Sequence, residues 1–342
     1  MTVTTPRRLL LVSIPRSASN LLLKILDILN QPNVLTNSEA GYFFFPAFIP
    51  AMQGGYLDKP MDQWTDAMKQ EVKASFNGCV ERLEEFSARA EEEKKFMFTK
   101  EHAYWFINPA ALHEMFTGTE DAKLYEAFRL RVAETYGPQS FSPANKTVLP
   151  DAYLRSWQLA FIIRHPALAW PSMYRAMAKI SDIGGMGEKE IRGVWSTNMT
   201  LRWTRMVYDW ALEQGTTPAI LDADDVTHNP LAVTRFCELT GLDKETLKFQ
   251  WSEEGTKESG PSVGNESAEA LDMRLKINSI MRSTVDSSSG IIKNKTPSTI
   301  DLDVEIKSWK AEFGEEVAKL MEKSVLESMP DYEYLKARRV TG

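Results

Sequence analysis

The chain has 342 residues, 43% of them hydrophobic and 25% charged, with a net charge of -7. That length holds one large α/β domain or two ordinary ones, and the composition excludes collagen, a coiled-coil rod and wholesale disorder. The acidic balance speaks against duplex nucleic acid as the main partner, although a local basic pocket in an acidic protein still takes a small anion.

Cys79 and Cys237 lie far apart with no Cys-x-x-Cys spacing. No zinc or redox motif is legible, and two buried thiols in a reducing compartment are expected. Arg7 and Arg8 before Leu9-Leu10-Leu11-Val12 faintly mimic a signal peptide. The run is too short, however, and meets Ile14-Pro15-Arg16 without a small-residue cleavage site. No segment approaches the ~20 apolar residues of a membrane span. The expectation is a soluble, cytoplasmic protein with no metal site.

In chain order, residues 8–14 form a continuous apolar run, as a strand covered on both faces requires. A short polar loop from Pro15 to Ser19 follows. A helix rich in Leu and Ile then runs toward Asn30-Gln31-Pro32. Residues 42–50 are aromatic and interrupted by Pro46 and Pro50, which predicts a loop or short helix. Residues 61–95 predict long amphipathic helices, their last charge run being a solvated face.

Further strands are predicted over 96–99, 159–163 and 218–221, with helices over 167–180, 194–214 and 230–240, the last stopped by Gly241. Alternating strands and helices imply a doubly wound parallel sheet flanked by helices, its site at the carboxyl ends of the strands. Residues 252–300, rich in Ser, Gly and Glu, read as a long flexible loop, and 304–338 as helices. There is no internal repeat and no linker, so one domain over 1–342 is expected.

Three loops carry chemistry. Pro15-Arg16-Ser17-Ala18-Ser19-Asn20 leaves a buried strand and enters a helix, where unpartnered N–H groups and the helix dipole favour an anion. Arg16 adds a fork of donors, and Ser17 and Ser19 add hydroxyls; alternatively a serine here simply caps the helix. Neither GxxxxGK[ST] nor GxGxxG is present, against an ATPase, a typical kinase or a dinucleotide enzyme. In the second loop Arg164 ends a strand and Ser172 follows eight positions later in the next helix. The pair suits one phosphate group, or is an ordinary surface arginine and a helix serine. In the third, Lys100-Glu101-His102 follows the second strand. Histidine is the usual base near neutral pH, and the chain has only four, at 102, 113, 165 and 228. Side chains alternate along a strand, so Lys100 and His102 share a face. Glu101 is the alternative base if its side chain is the one facing the site.

Taken in order, PRSASN with LLLKIL after it, RHPALAWPSMYR and ILDADDVTHNPLAVTRFCELTGL resemble the cytosolic-type sulfotransferases over about residues 8 to 242. The resemblance implies a P-loop-like three-layer fold and 3′-phosphoadenosine-5′-phosphosulfate as co-substrate. It implies that Arg16, Ser17, Ala18, Ser19 and Asn20 take the 5′-phosphosulfate and that Arg164 and Ser172 take the 3′-phosphate. Lys100-Glu101-His102 resembles the family's KTH-like turn, which implies His102 as base, with Lys100 and Arg16 assisting the transferring group. The family usually has Gly-Thr-Thr where this chain has Ala18-Ser19-Asn20, and Asp or Asn where it has His165. Near the C-terminus, Ser289 to Lys295 is a loose likeness of the RKG…GDWK segment, with Lys293 and Lys295 as phosphate contacts or as solvated lysines.

The acceptor then implied is a hydrophobic or aromatic small molecule with a hydroxyl, held by Phe43, Phe44, Phe45, Tyr104 and Trp105. The departures leave a second reading open, an enzyme of this fold with a degenerate nucleotide site that runs an elimination or cyclisation on His102 and Lys100. A third is a non-catalytic binding protein. A transferase needs Arg16, Arg164 and Ser172 to converge; an elimination enzyme needs only the acid–base pair and an apolar pocket.

Overall fold

The computed structural model describes residues 8–251, 268–286, 289–291 and 296–342. Strand β1 (Arg8–Ser13) is buried throughout and sits at the centre of a five-stranded, all-parallel sheet of order β2-β3-β1-β4-β5. Its alternate side chains feed two cores. Leu10 and Val12 face one, Leu9 and Leu11 the other. A strand wetted on neither face has no polar alternation to show, which is why it reads as an unbroken apolar run.

After β1 the chain passes through α1 (Ser19–Ile25) to the edge strand β2 (Val34–Leu35), then through α2 (Phe45–Gln53) and α3 (Asp66–Glu92) to β3 (Phe96–His102). Helix α3 starts at Thr65, whose side chain accepts from Met68 N, and buries Val72, Phe76, Val80, Leu83, Ser87 and Ala90, about one residue per turn. Helices α4 (Pro109–Thr117), α5 (Ala122–Phe128) and α6 (Asp151–Arg155) lead to β4 (Gln158–Ile163), on the other side of β1. Then come α7 (Pro166–Asp182), α8 (Glu188–Asn198), α9 (Arg202–Glu213), β5 (Ala219–Asp222), α10 (Ala223–His228) and α11 (Pro230–Thr240). Helix α12 (Ala268–Asp286), α13 (Leu302–Phe313) and α14 (Glu315–Lys336) complete the described elements. Helices α1, α10 and α11 cover the smaller core, and most of the others cover the larger one, giving three layers. The neighbours of β1 are reached by connections running to opposite sides, so a crevice opens at its carboxyl end.

The structure differs from the sequence expectation in four places. Lys100, Glu101 and His102 belong to β3 rather than to a turn after it, because β3 pairs with β1 as far as Ser13↔His102. Strand β2, two residues long, has too short an apolar run to signal itself. Residues 194–214 are two helices, not one. Within 252–300, expected to be one long loop, residues 268–286 form a helix, braced by the Asp272–Lys276 ion pair at 2.7 Å. Its apolar period is diluted by the polar residues around it; the rest of the expected loop, 252–267, 287–288 and 292–295, lies outside the described residues. Among the described residues, no helix is long and apolar enough to cross a membrane.

One close approach ties the loop after β2 to β3. Gly41, at φ 146°, pairs with Lys100, and an added Cβ would stand 2.1 Å from the Lys100 carbonyl oxygen and 2.4 Å from its nitrogen. The obstacle is backbone and cannot turn aside. Gly41→Ala is therefore expected to lower stability by on the order of 3 kcal/mol, read as a lower urea midpoint at unchanged slope.

Candidate active site

The loop between β1 and α1 is held in an unusual backbone shape. Arg16 and Ala18 both lie in the left-handed region at φ 64°, and Ala18 is the N-cap of α1. Ala18 occupies the place where the resembling family has glycine, and the backbone shows why glycine is suited to it. Ser17 does not reach the ligand side: its hydroxyl donates to the Ile14 carbonyl at 2.8 Å and the residue is fully buried. Arg16, Ala18, Ser19 and Asn20 line a cavity of about 370 Å3 at the carboxyl ends of the strands.

Across the crevice, Arg164 and Ser172 line the same cavity. Arg16 Nε donates to Ser172 Oγ at 2.9 Å, and Arg164 Nη1 donates to the Arg16 carbonyl at 2.9 Å. Two residues some 150 positions downstream thus meet the first loop directly. Burial pushes the Arg164 guanidinium down to about 10, with Arg16 beside it adding to the shift and Asp222 opposing it. Burial lowers Arg16 as well. Two desolvated guanidinium groups side by side form a site that favours an anion.

His165, where the resembling family has Asp or Asn, serves as the cap of the next helix. Its Nδ1 accepts from Ala167 N at 3.2 Å and so caps α7.

On β3, Lys100 and His102 share one face and Glu101 takes the other, as the alternation requires. His102 lines the cavity, its ring 4.4 Å from Trp105 and 5.2 Å from Tyr42. Burial, then the nearby Lys100, hold its pKa well below the ordinary value, so the ring is neutral at pH 7. Lys100 stands behind the wall rather than in it. Its Nζ donates to Asn20 Oδ1 at 2.6 Å and lies 4.3 Å from the centre of the Tyr42 ring. Burial pulls Lys100 down to about 7. Asn20, the most divergent residue of the first loop, is thereby the link from that loop to β3.

Glu101 points away from the cavity. It accepts from Phe43 N at 2.7 Å, Phe44 N at 3.3 Å and Thr99 Oγ1 at 3.1 Å, at the start of α2. Burial raises it to about 8 against those bonds. It is an anchor for the chain before α2, not a base facing the cavity.

The aromatic wall is only partly as expected. Phe45 and Trp105 line the cavity, but Phe43, Phe44 and Tyr104 do not. Phe43 packs on Phe86, Phe44 on Phe76 and Phe106, and Tyr104 on Phe48 and Trp203, all in the larger core. The helical turns of α2 and of residues Ala103–Phe106 point alternate aromatics into the core. Tyr42, Phe48 and Met52 take their places in the wall, with Glu39 as a buried carboxylate nearby. Of the aromatic run Tyr42 to Phe48, which the sequence offers as a pocket lining, Tyr42, Phe45 and Phe48 reach the cavity.

Helix α12 contributes Ile277, Asn278, Met281 and Arg282 to the cavity, and the Met281 carbonyl accepts from Arg16 Nη1 at 2.5 Å. Nothing before the fold is known marks that helix as part of the site. Lys293 and Lys295 lie outside the described residues.

This geometry can be set beside known proteins. The chain is 34% identical over 347 residues to Sulfotransferase ppzF of Metarhizium rileyi (strain RCEF 4871), a match covering 98% of this chain and 96% of that protein. It is likewise 34% identical over 349 residues to Sulfotransferase ppzF of Metarhizium majus (strain ARSEF 297), over 98% of this chain and 97% of that one. The chain belongs to the sulfotransferase family. No family model matches it, and no solved structure does. In this chain the left-handed Ala18, the Asn20–Lys100 bond and the His165 cap are the places where the first loop, β3 and α7 carry residues the resembling pattern does not use.

Two outcomes follow from these departures. Ala18→Gly removes a left-handed alanine and is expected to raise stability by about 0.5–1 kcal/mol, net of the looser unfolded chain; chemical denaturation of the two proteins checks it. Burial also lowers His165 to about 4 and holds His102 well below its ordinary value. Both groups bind protons more readily unfolded, near 6.5, than folded. Their share of stability is therefore complete above about pH 6.5 and lost as pH falls toward 4. His165→Asn keeps a capping side chain without the titration, so its urea midpoint falls less than that of the wild type between those pH values.

Proposed function

We propose that the protein transfers a sulfuryl group from 3′-phosphoadenosine-5′-phosphosulfate to the hydroxyl of a hydrophobic or aromatic small molecule. The observation that carries this reading is the meeting of Arg16, Arg164 and Ser172 on one cavity that also exposes His102. The donor set suits a doubly phosphorylated nucleotide: planar guanidinium forks for phosphate oxygens, a serine hydroxyl, and a low-dielectric wall around them. Bound there, the nucleotide supplies the sulfuryl group and leaves as the bisphosphate.

The chain's own residues do the remainder. The aromatic wall of Tyr42, Phe45, Phe48 and Trp105 holds an apolar acceptor and keeps water from the donor. His102, neutral at pH 7, takes the proton from the acceptor hydroxyl as its oxygen bonds to sulfur and the bond from sulfur to the phosphate oxygen breaks. Arg16, with Lys100 behind Asn20, supplies positive potential where negative charge spreads in the transition state. The cytosolic-type assignment rests on the same motifs, and no observation favours the elimination reading over it.

The test is calorimetric titration with 3′-phosphoadenosine-5′-phosphate. Micromolar binding is expected, and Arg164→Ala should weaken it about 10–100-fold, the worth of a charge-assisted hydrogen bond or two. With the phosphosulfate and 2-naphthol as probe acceptor, His102→Gln should lower kcat about 100-fold or more while leaving nucleotide affinity intact. No binding at millimolar nucleotide would overturn the assignment.

A further inference from the structure

The base proposed above has two ring nitrogens, and only an unprotonated one facing the cavity can take a proton. Which nitrogen that is depends on what the other one touches. His102 Nδ1 lies 2.8 Å from the Ser13 hydroxyl oxygen, and that same oxygen lies 3.1 Å from the Glu101 backbone carbonyl. Ser13 is fully buried and His102 is 5% exposed, so neither contact is shared with bulk water.

A serine hydroxyl has one proton to give and lone pairs to receive. The Glu101 carbonyl can only accept, so it takes the hydroxyl proton when the ring carries its own proton on Nδ1. The Ser13 oxygen then accepts from His102 Nδ1–H. In that tautomer donation runs along the line from His102 Nδ1 to Ser13 Oγ to Glu101 O. It leaves Nε2 with its lone pair, on a ring that lines the cavity.

The arrangement is built into the sheet. Ser13 is the last residue of β1 and His102 the last of β3, and the two are direct partners in the parallel register. Trp105 and Tyr42 hold the ring from its other sides. An apolar residue at position 13 would suit the strand better, since Leu9, Leu11 and Phe98 share this face. A hydroxyl there is a departure from the local rule, of the kind found at working sites.

We propose that Ser13 is a positioning residue that holds His102 in the Nδ1–H tautomer and so presents Nε2 as the proton acceptor. This rests on His102 being the base of the transfer reaction. As the acceptor proton moves to Nε2, the Nδ1 proton stays on its bond to Ser13, and the imidazolium formed keeps one satisfied donor.

The experiment that decides it needs no turnover. Protein labelled with nitrogen-15 at histidine shows two ring signals for His102, assigned by their loss in His102→Gln. The expected result is a protonated Nδ1 and a bare Nε2 in the wild type at pH 7. In Ser13→Ala the population should shift toward protonated Nε2, with kcat for 2-naphthol falling about tenfold or more and the acceptor KM and nucleotide affinity little changed. Ser13→Thr, which keeps the hydroxyl, should retain the wild-type spectrum. A protonated Nε2 in the wild type overturns the proposal, whatever the variants do. So does a Ser13→Ala protein that binds nucleotide and keeps the wild-type tautomer. A correct tautomer in a protein that transfers no sulfuryl group would instead place the fault in the proposed reaction.

Discussion

The pairing of β1 with β3 is the constraint on which the site depends. Six consecutive partners, from Arg8↔Met97 to Ser13↔His102, bring the end of β1 level with the end of β3. The loop carrying Arg16 and the strand end carrying His102 therefore open on one crevice. A slip of one residue would turn Lys100 and His102 to the other face and bring Glu101 round to Asn20. The register is protected by burial on both faces, because every apolar side chain of β1 has a core to fill on its own side.

Around that pairing the structure places backbone strain where the cavity is. Arg16, Ala18, Ala40 and Tyr42 all hold positive φ without being glycine. Such residues persist only when their surroundings over-determine them. At Ala40 to Tyr42 the restraints are visible. Asn37 accepts from Gly41 N and donates to the Gly41 carbonyl, Tyr42 N donates to Lys100 O, and Glu101 receives Phe43 N and Phe44 N. A buried carboxylate is costly unless several donors meet it, and here the donors are the backbone groups that the tight path would otherwise leave unpaired. Glu101 thus serves the site from behind, holding Tyr42 against Lys100 and His102.

How much of this was legible beforehand depends on the range of the interaction involved. The strand–loop–helix opening, the exit of Arg164 from β4 and the shared face of Lys100 and His102 are set by apolar runs and by alternation, both local signals. The family resemblance rested on ordered motifs and agrees with the relatives found. The aromatic wall misled because Phe43 and Phe44, just ahead of α2, pack into the core while Phe45, its first residue, meets the cavity, and the Phe43 and Phe44 backbone is held by Glu101, fifty-odd residues away. Helix α12 was hidden by its polar neighbours, and its place over the cavity follows from the Met281–Arg16 contact, which no spacing encodes. Ser13 was visible as a polar residue in an apolar strand, but its purpose appears only with the register.

A net charge of -7 does not prevent a local anion site. Net charge governs solubility and long-range approach, whereas affinity is set within a few ångströms and at a lower dielectric. The cations that matter, Arg16 and Arg164, are both desolvated, and Arg16 further lowers Arg164. Their nearest neutral partners, a serine hydroxyl and backbone carbonyls, spread that charge without cancelling it. Asp222, the carboxylate that acts on Arg164, is itself committed to Tyr332 Oη and to the cap of α10. The hydrogen bonds of Arg16 and Arg164 are thus to neutral acceptors, and an incoming anion gains what the fold gave up in burying two arginines together.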